Sequence, residues 1–116
     1  MTDPPGTRDQ SKTEREGVGP VLQPTELGRA VVAAIRDENP DVTVHDEGAY
    51  LRVYSHRVCR VSRAAVESYA GYAVRFPGDL EVIMSSFAGK VAMNEDGAIW
   101  WLATEPRPTP GSARSR

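Results

Sequence analysis

The sequence predicts a single α+β domain in which two helices pack against mainly antiparallel sheets. Residues 27–35 repeat apolar side chains at helical spacing, whereas residues 51–61 alternate apolar and polar side chains as a strand does. The acidic segments "DEG" (46–48) and "NEDG" (94–97) each follow a short apolar stretch and favour hairpin turns. The predicted element order is β-α-β-β-α-β-β-β, which is typical of antiparallel α+β domains.

The first elements are a strand and a helix. "VGPVL" (18–22) is apolar but contains a proline, which favours an edge strand. Thr25 is a candidate N-cap, and Asn39-Pro40 predicts the end of the helix. The apolar stripe of this helix consists of Leu27, Ala30, Val31, Ala34 and Ile35.

A long strand is expected after the "DEG" turn. Ser55 and Arg57 fall on the same face as its apolar residues, so the strand should bend or leave the core near its middle. These apolar residues are Leu51, Val53, Cys59 and Val61.

The second half contains a helix and a final hairpin. Ser62 is a candidate N-cap for a helix that reaches Ala70, and Gly71 suits its left-handed end. Pro77-Gly78 predicts a turn before a strand at 80–84. The hairpin then joins 91–93 to 98–103, where Trp100 and Trp101 should point to opposite faces, one into the core and one exposed as a contact residue.

The composition limits the class of protein. The chain has 116 residues, 40% hydrophobic and 26% charged, which suits one domain with a modest core. Its formal charge of −2 argues against a broad nucleic-acid-binding face. A signal peptide and a membrane span are not expected, so the expected location is the cytoplasm. The polar, proline-containing ends, 1–17 and 104–116, are expected to be a disordered arm and tail around a domain at 18–103.

The residues favour no catalytic or metal site. His45 and His56 are predicted to lie at the solvent edge, and Cys59, the single cysteine, is predicted to be a small buried apolar residue. Two separate histidines and one thiol lack the spacing of a zinc or di-iron site. The sequence therefore predicts a protein that is not an enzyme and carries no metal or cofactor.

The segment "IMSSFAGKVAM" (83–93) changes its apolar phase in mid-run. Leu80, Val82 and Met84 occupy one phase, and Phe87 then begins the other, which predicts a bulge or sharp bend at 84–87. Two interpretations remain open from the residues alone. The bend forms an outward ridge for a partner protein, or it is a barrel corner with Phe87 pointing inward.

At these residues the chain resembles the regulatory, or coupling, proteins of soluble bacterial multicomponent di-iron monooxygenases. The resemblance rests on "VGPVL", the helix end "ENP", "VTVHDEGAYLRV" and above all "LEVIMSSFAGKVAMNEDGAIWWL". It covers nearly all of 18–102 in the right order. The match is closest to the toluene and alkene branch.

This resemblance implies a cofactor-free α+β protein that docks on the hydroxylase over its di-iron site. Such proteins reshape the active site, couple NADH and O₂ use to hydrocarbon oxidation, and compete or alternate with the electron-transfer protein. No nucleic acid or membrane is implied as a partner. By position, the implied hydroxylase-binding residues are Ser85, Ser86, Phe87, Ala88, Gly89 and Lys90, together with Val18, Gly19 and Pro20.

Two other functions remain as alternatives. A small-ligand-binding sensor domain would use an apolar pocket shaped by the bend. A small hydrolase would use Cys59 or His56, although no partner base or nucleophile can be named for either.

Overall fold

Two antiparallel sheets and three helices make up the part of the chain that the structure, a computed structural model, describes, residues 16–108. Residues 1–15 of the predicted arm and 109–116 of the predicted tail lie outside it. The elements are β1 (Gly17–Leu22), α1 (Glu26–Glu38), β2 (Thr43–Asp46), β3 (Leu51–His56), β4 (Val58–Ser62), α2 (Arg63–Ala70), α3 (Gly78–Ile83), β5 (Met84–Ala88), β6 (Lys90–Asn94) and β7 (Gly97–Trp101). The predicted α+β class with antiparallel sheets is confirmed.

The first sheet has the strand order β2-β3-β1-β5, and the second has the order β4-β7-β6. The prediction that β1 is an edge strand is wrong, because β1 lies between β3 and β5. The strand tolerates its proline because the register to β3 pairs Gly17, Val18, Val21 and Leu22 and passes over Gly19 and Pro20.

Helix α1 is fastened at both ends. The Thr25 hydroxyl accepts a hydrogen bond from the Gly28 amide at 3.0 Å, as an N-cap should. At the other end the buried Asn39 side chain donates to the Ile35 and Arg60 carbonyls at 2.8 and 2.7 Å and accepts from the Arg60 amide at 3.0 Å. Asn39 therefore ends the helix, as predicted, and also ties it to β4.

Helix α2 begins and ends as the sequence predicts. The Ser62 hydroxyl accepts from the Ala65 amide at 3.2 Å, and Gly71 adopts the left-handed conformation with φ 82°. Glu38, the last residue of α1, accepts from the Ser62 amide and hydroxyl at 2.8 and 2.7 Å. One serine thus caps α2 and links it to α1.

The single long strand predicted over 51–61 is wrong, although its expected bend is confirmed. The stretch forms β3 in the first sheet and β4 in the second, separated at Arg57, which has φ 73°. The Arg57 amide donates to the Glu16 carbonyl at 3.0 Å, and the Arg57 carbonyl accepts from the Leu102 amide at 3.1 Å. These bonds fix the chain where it passes between the sheets.

The strand predicted at 80–84 is also wrong, because most of this stretch belongs to helix α3. Leu80 and Ile83, three residues apart, are 0% and 6% exposed, whereas Val82 is 76% exposed. Alternation of apolar residues over so short a segment suits either structure, and here packing favours the helix.

The expectation that one indole is exposed is wrong as well. Trp100 is fully buried, and Trp101 is only 8% exposed. The Arg107 guanidinium lies over the Trp101 ring at 5.9 Å, so residues beyond the last strand help to cover it.

Gly89, between β5 and β6, joins the two sheets at close range. It has φ 93°, and a Cβ atom there would lie 2.5 Å from the Trp101 carbonyl oxygen and 2.8 Å from Val18 Cγ1. The backbone conformation and the missing side chain are therefore both needed at this position.

We expect Gly89→Ala to lower the free energy of unfolding by about 3 kcal/mol, because it combines backbone strain with a steric clash. Gly48→Ala is the matched control, since Gly48 has φ 88° but open space around its Cα. Gly48→Ala should lower the free energy of unfolding by about 1 kcal/mol, because only the left-handed backbone conformation is then unfavourable. Urea unfolding measures both values, and equal losses would show that the close approach at Gly89 is unimportant.

Candidate functional site

Residues Ser85–Lys90, here called the ridge, form a continuous exposed segment that runs from β5 of the first sheet through Gly89 to the first residue of β6 in the second. Every one of these residues is exposed. Strand β5 lies at the edge of its sheet, so the side of it that faces away from β1 has no strand partner among residues 16–108. An exposed strand edge of this kind can pair with another polypeptide.

The ridge begins at a bulge. Val21 lies opposite Ser86, and Leu22 lies opposite Met84, so Ser85 is an extra residue on β5. Its hydroxyl donates to the Val21 carbonyl at 3.4 Å. The predicted irregularity is therefore confirmed, and it coincides with the change from α3 to β5.

Phe87 and Lys90 are the two large side chains of the ridge. Phe87 lies opposite Pro20 in the register and hence on the same face of the sheet, yet it remains 44% exposed. No carboxylate among residues 16–108 forms an ion pair with Lys90. The ridge thus combines an exposed aromatic ring, a cation and small residues.

Val18, Gly19 and Pro20 lie in β1, the strand beside β5, and are not at the surface. Val18 is 2% exposed, and the other two are also buried. A Cβ atom on Gly19 would lie 2.3 Å from the Val53 carbonyl oxygen, so the chain packs closely there too. The structure therefore brings these residues together with the ridge, but as its support.

A cluster of charged residues beside the ridge was missed by the sequence reasoning. His56 Nε2 lies 2.5 Å from Glu16 Oε1, and the Arg57 guanidinium pairs with Glu16 at 3.9 Å and with Glu105. This cluster holds the first and last parts of the described chain together. Its members are up to 89 positions apart in sequence, so no local pattern could have revealed it.

Cys59 shows the chemistry expected of a buried thiol. It is fully buried, as predicted, and burial raises its pKa to about 12, whereas the Ser55 hydroxyl acts in the opposite direction. The thiol is therefore protonated at neutral pH and is not a nucleophile.

Within residues 16–108, no three His, Cys, Asp or Glu side chains come together as a metal site would require. In the same residues, no helix has the length and apolar character needed to cross a membrane.

The fold defines a small α+β protein whose exposed ridge is a candidate surface for contact with another protein. Residues 16–101 match the MmoB/DmpM family, and the chain belongs to that family. The resemblance stated from the sequence is thereby confirmed.

Comparison with individual proteins agrees with this assignment. The chain is 34% identical over 86 residues to the effector subunit of an alkene monooxygenase system from Xanthobacter autotrophicus (strain ATCC BAA-1158 / Py2), a match that covers 72% of this chain and 84% of the relative. Two solved structures of a phenol hydroxylase–regulatory protein complex contain chains of the same fold. Their TM-scores are 0.65 and 0.62, with 21% and 22% identity, 73% of this chain covered in both cases, and 95% and 99% of the other chains. The relatives are thus named as effector and regulatory components, not as catalytic ones.

We expect the stability of the protein to fall at high pH because of Cys59. The unfolded thiol ionises near its ordinary pKa of 9.0, whereas the folded thiol stays protonated up to about pH 12, so unfolding releases a proton between these values. The free energy of unfolding should therefore fall by up to about 1.4 kcal/mol per pH unit between the two pKa values. Urea unfolding at about pH 8 and about pH 11 measures it.

Cys59→Ala serves as the reference, since it lacks the thiol but keeps every other titrating group. The variant is expected to be less stable at the lower pH, because it leaves a small cavity. Its stability should then fall less steeply than that of the natural protein. Parallel slopes would contradict the assignment of a strongly raised pKa to Cys59.

Proposed function

We propose that this protein is a cofactor-free effector of a multicomponent di-iron monooxygenase and that it docks on the hydroxylase component. The observation that carries this proposal is the 34% identity to an alkene monooxygenase effector subunit along 84% of that subunit. The two phenol hydroxylase–regulatory protein complexes, which share the fold, support a hydroxylase as the kind of partner.

The ridge is the surface that we propose contacts the hydroxylase. Phe87 supplies an aromatic anchor, and Lys90 supplies a cation with no carboxylate partner among residues 16–108. The free edge of β5 offers backbone groups for hydrogen bonds with a partner chain. Buried Val18, Gly19 and Pro20 take part indirectly, because they belong to β1, the neighbouring strand that supports β5.

Docking would act on the hydroxylase by differential binding. An effector that binds one conformation of the active site ten times more tightly than another contributes about 1.4 kcal/mol toward that conformation. The expected consequences are a reshaped active site and tighter coupling of NADH and O₂ use to hydrocarbon oxidation. If the electron-transfer protein uses an overlapping surface, the two proteins must alternate on the hydroxylase.

A reconstituted system tests the proposal directly. We expect the protein, added to its cognate hydroxylase, reductase and electron-transfer protein, to raise both the initial rate and the product formed per NADH. Both effects should saturate near one effector per hydroxylase site, since the protein acts by stoichiometric binding. Unchanged rate and unchanged yield would rule the effector function out.

The ridge is tested separately by Phe87→Ala, which should weaken hydroxylase binding by at least about tenfold, as loss of an aromatic anchor does. Tyr72→Ala is the matched control, because Tyr72 is 48% exposed, close to the 44% of Phe87, but follows α2 and lies outside the ridge. Titration of labelled effector into hydroxylase measures both affinities. Equal losses in the two variants, or none in either, would place the interface elsewhere while leaving the effector function standing.

The sensor-domain alternative receives less support from the geometry. It requires a pocket formed by the bend, whereas two grooves of the described part are lined by residues of other segments.

A further inference from the structure

The outer face of the second sheet carries a groove of about 640 Å³. Register pairs Arg60 and Ala92 with Ile99 on either side, so the three side chains share this face. The next row along the strands is Ser62, Gly97 and Asn94. Gly97 has no side chain, and the backbone of Val61 and Ser62 packs closely against it, with the Val61 carbonyl oxygen 2.5 Å from where a Cβ atom would lie.

The lining of the groove combines apolar residues with charged residues of both signs. Ala92 and Ile99 form the floor, with Glu38 and Asp96 among the lining residues on the side of the Gly97 row. The Glu38 carboxylate is already engaged, since it accepts two hydrogen bonds from Ser62. Its two oxygens are therefore held toward Ser62.

Two arginines, Arg60 and Arg107, are also among the residues that line the groove. Neither forms an ion pair with a carboxylate of residues 16–108. The Arg107 guanidinium instead lies over the ring of Trp101, which is two residues from Ile99 along β7. Two cations without carboxylate partners beside an apolar floor are well placed to bind an anion that has an apolar body.

We propose that this groove binds a small organic carboxylate. The carboxylate would accept hydrogen bonds from Arg60 and Arg107, for which the planar guanidinium is well suited. The apolar body would lie over Ala92 and Ile99, which line the groove on the same face of the sheet. The volume is in the range of small-molecule sites, which are commonly apolar with a few convergent polar groups.

The groove is distinct from the ridge. It lies on the second sheet, whereas β5 belongs to the first, and no ridge residue lines it. Binding to it is therefore measured on the free protein, without a hydroxylase. A negative result here would leave the effector function and the docking surface untouched.

Benzoate is the probe, and benzamide, of nearly the same shape but neutral, is its control. We expect benzoate to shift the backbone amide resonances of Ala92 and Ile99 saturably, with a dissociation constant in the millimolar range or below, as suits so small a ligand. Benzamide should bind at least about tenfold more weakly, because it lacks the charge. The Phe87 and Gly89 amides of the ridge should not shift.

Arg60→Gln and Arg107→Gln should each weaken benzoate binding by about tenfold. Arg75→Gln is the control, since Arg75 is an exposed arginine outside the groove and should have no effect. Arg107 is exposed and follows the last strand, so its variant remains informative even if Arg60→Gln unfolds. Absence of saturable shifts, equal binding of benzamide, or an equal effect of Arg75→Gln would each overturn the proposal.

Discussion

The close approach of Gly89 to Val18 and to the Trp101 carbonyl constrains how the two sheets join, because a Cβ atom on Gly89 would lie 2.8 Å from Val18 Cγ1 and 2.5 Å from the Trp101 oxygen. Val18 belongs to β1, one of the two inner strands of the first sheet, and Trp101 belongs to β7, the middle strand of the second. Only a residue with positive φ and no Cβ fits between them. The turn from β5 to β6, the end of β7 and the start of β1 are consequently fixed in one place.

The exposed ridge is also supported by its neighbours. Exposed segments with few buried contacts open most easily, so packing against a buried strand stabilises them. Here the support is buried β1, whose residues Val18–Pro20 pack against β3 on one side and β5 on the other. The charged cluster of Glu16, Arg57 and Glu105 adds ion pairs at the same end of the molecule. If the ridge docks on the hydroxylase as proposed, this support reduces the conformational entropy lost on binding, which favours affinity.

The two candidate surfaces differ in chemistry as well as in place. The ridge offers a ring, a cation and free backbone groups, which suits contact with a polypeptide. The groove offers an apolar floor and two guanidinium groups, which suits a small anion. The two surfaces are connected along the β6–β7 pair, in which Lys90 lies opposite Trp101 and Ala92 lies opposite Ile99.

The sequence by itself determined the features that depend on neighbouring residues. The caps at Thr25, Ser62 and Gly71, the end of α1 at Asn39 and the burial of Cys59 follow from residue type and spacing, and the motif around the serine pair identified the family. Tertiary structure decided the rest. Contacts with residues far along the chain decide whether 78–83 is helix or strand and where the chain crosses at Arg57. They also decide that Val18–Pro20 and Trp101 are buried. A short apolar segment adopts the secondary structure that packs best against residues distant in sequence, and its own local sequence does not contain that information.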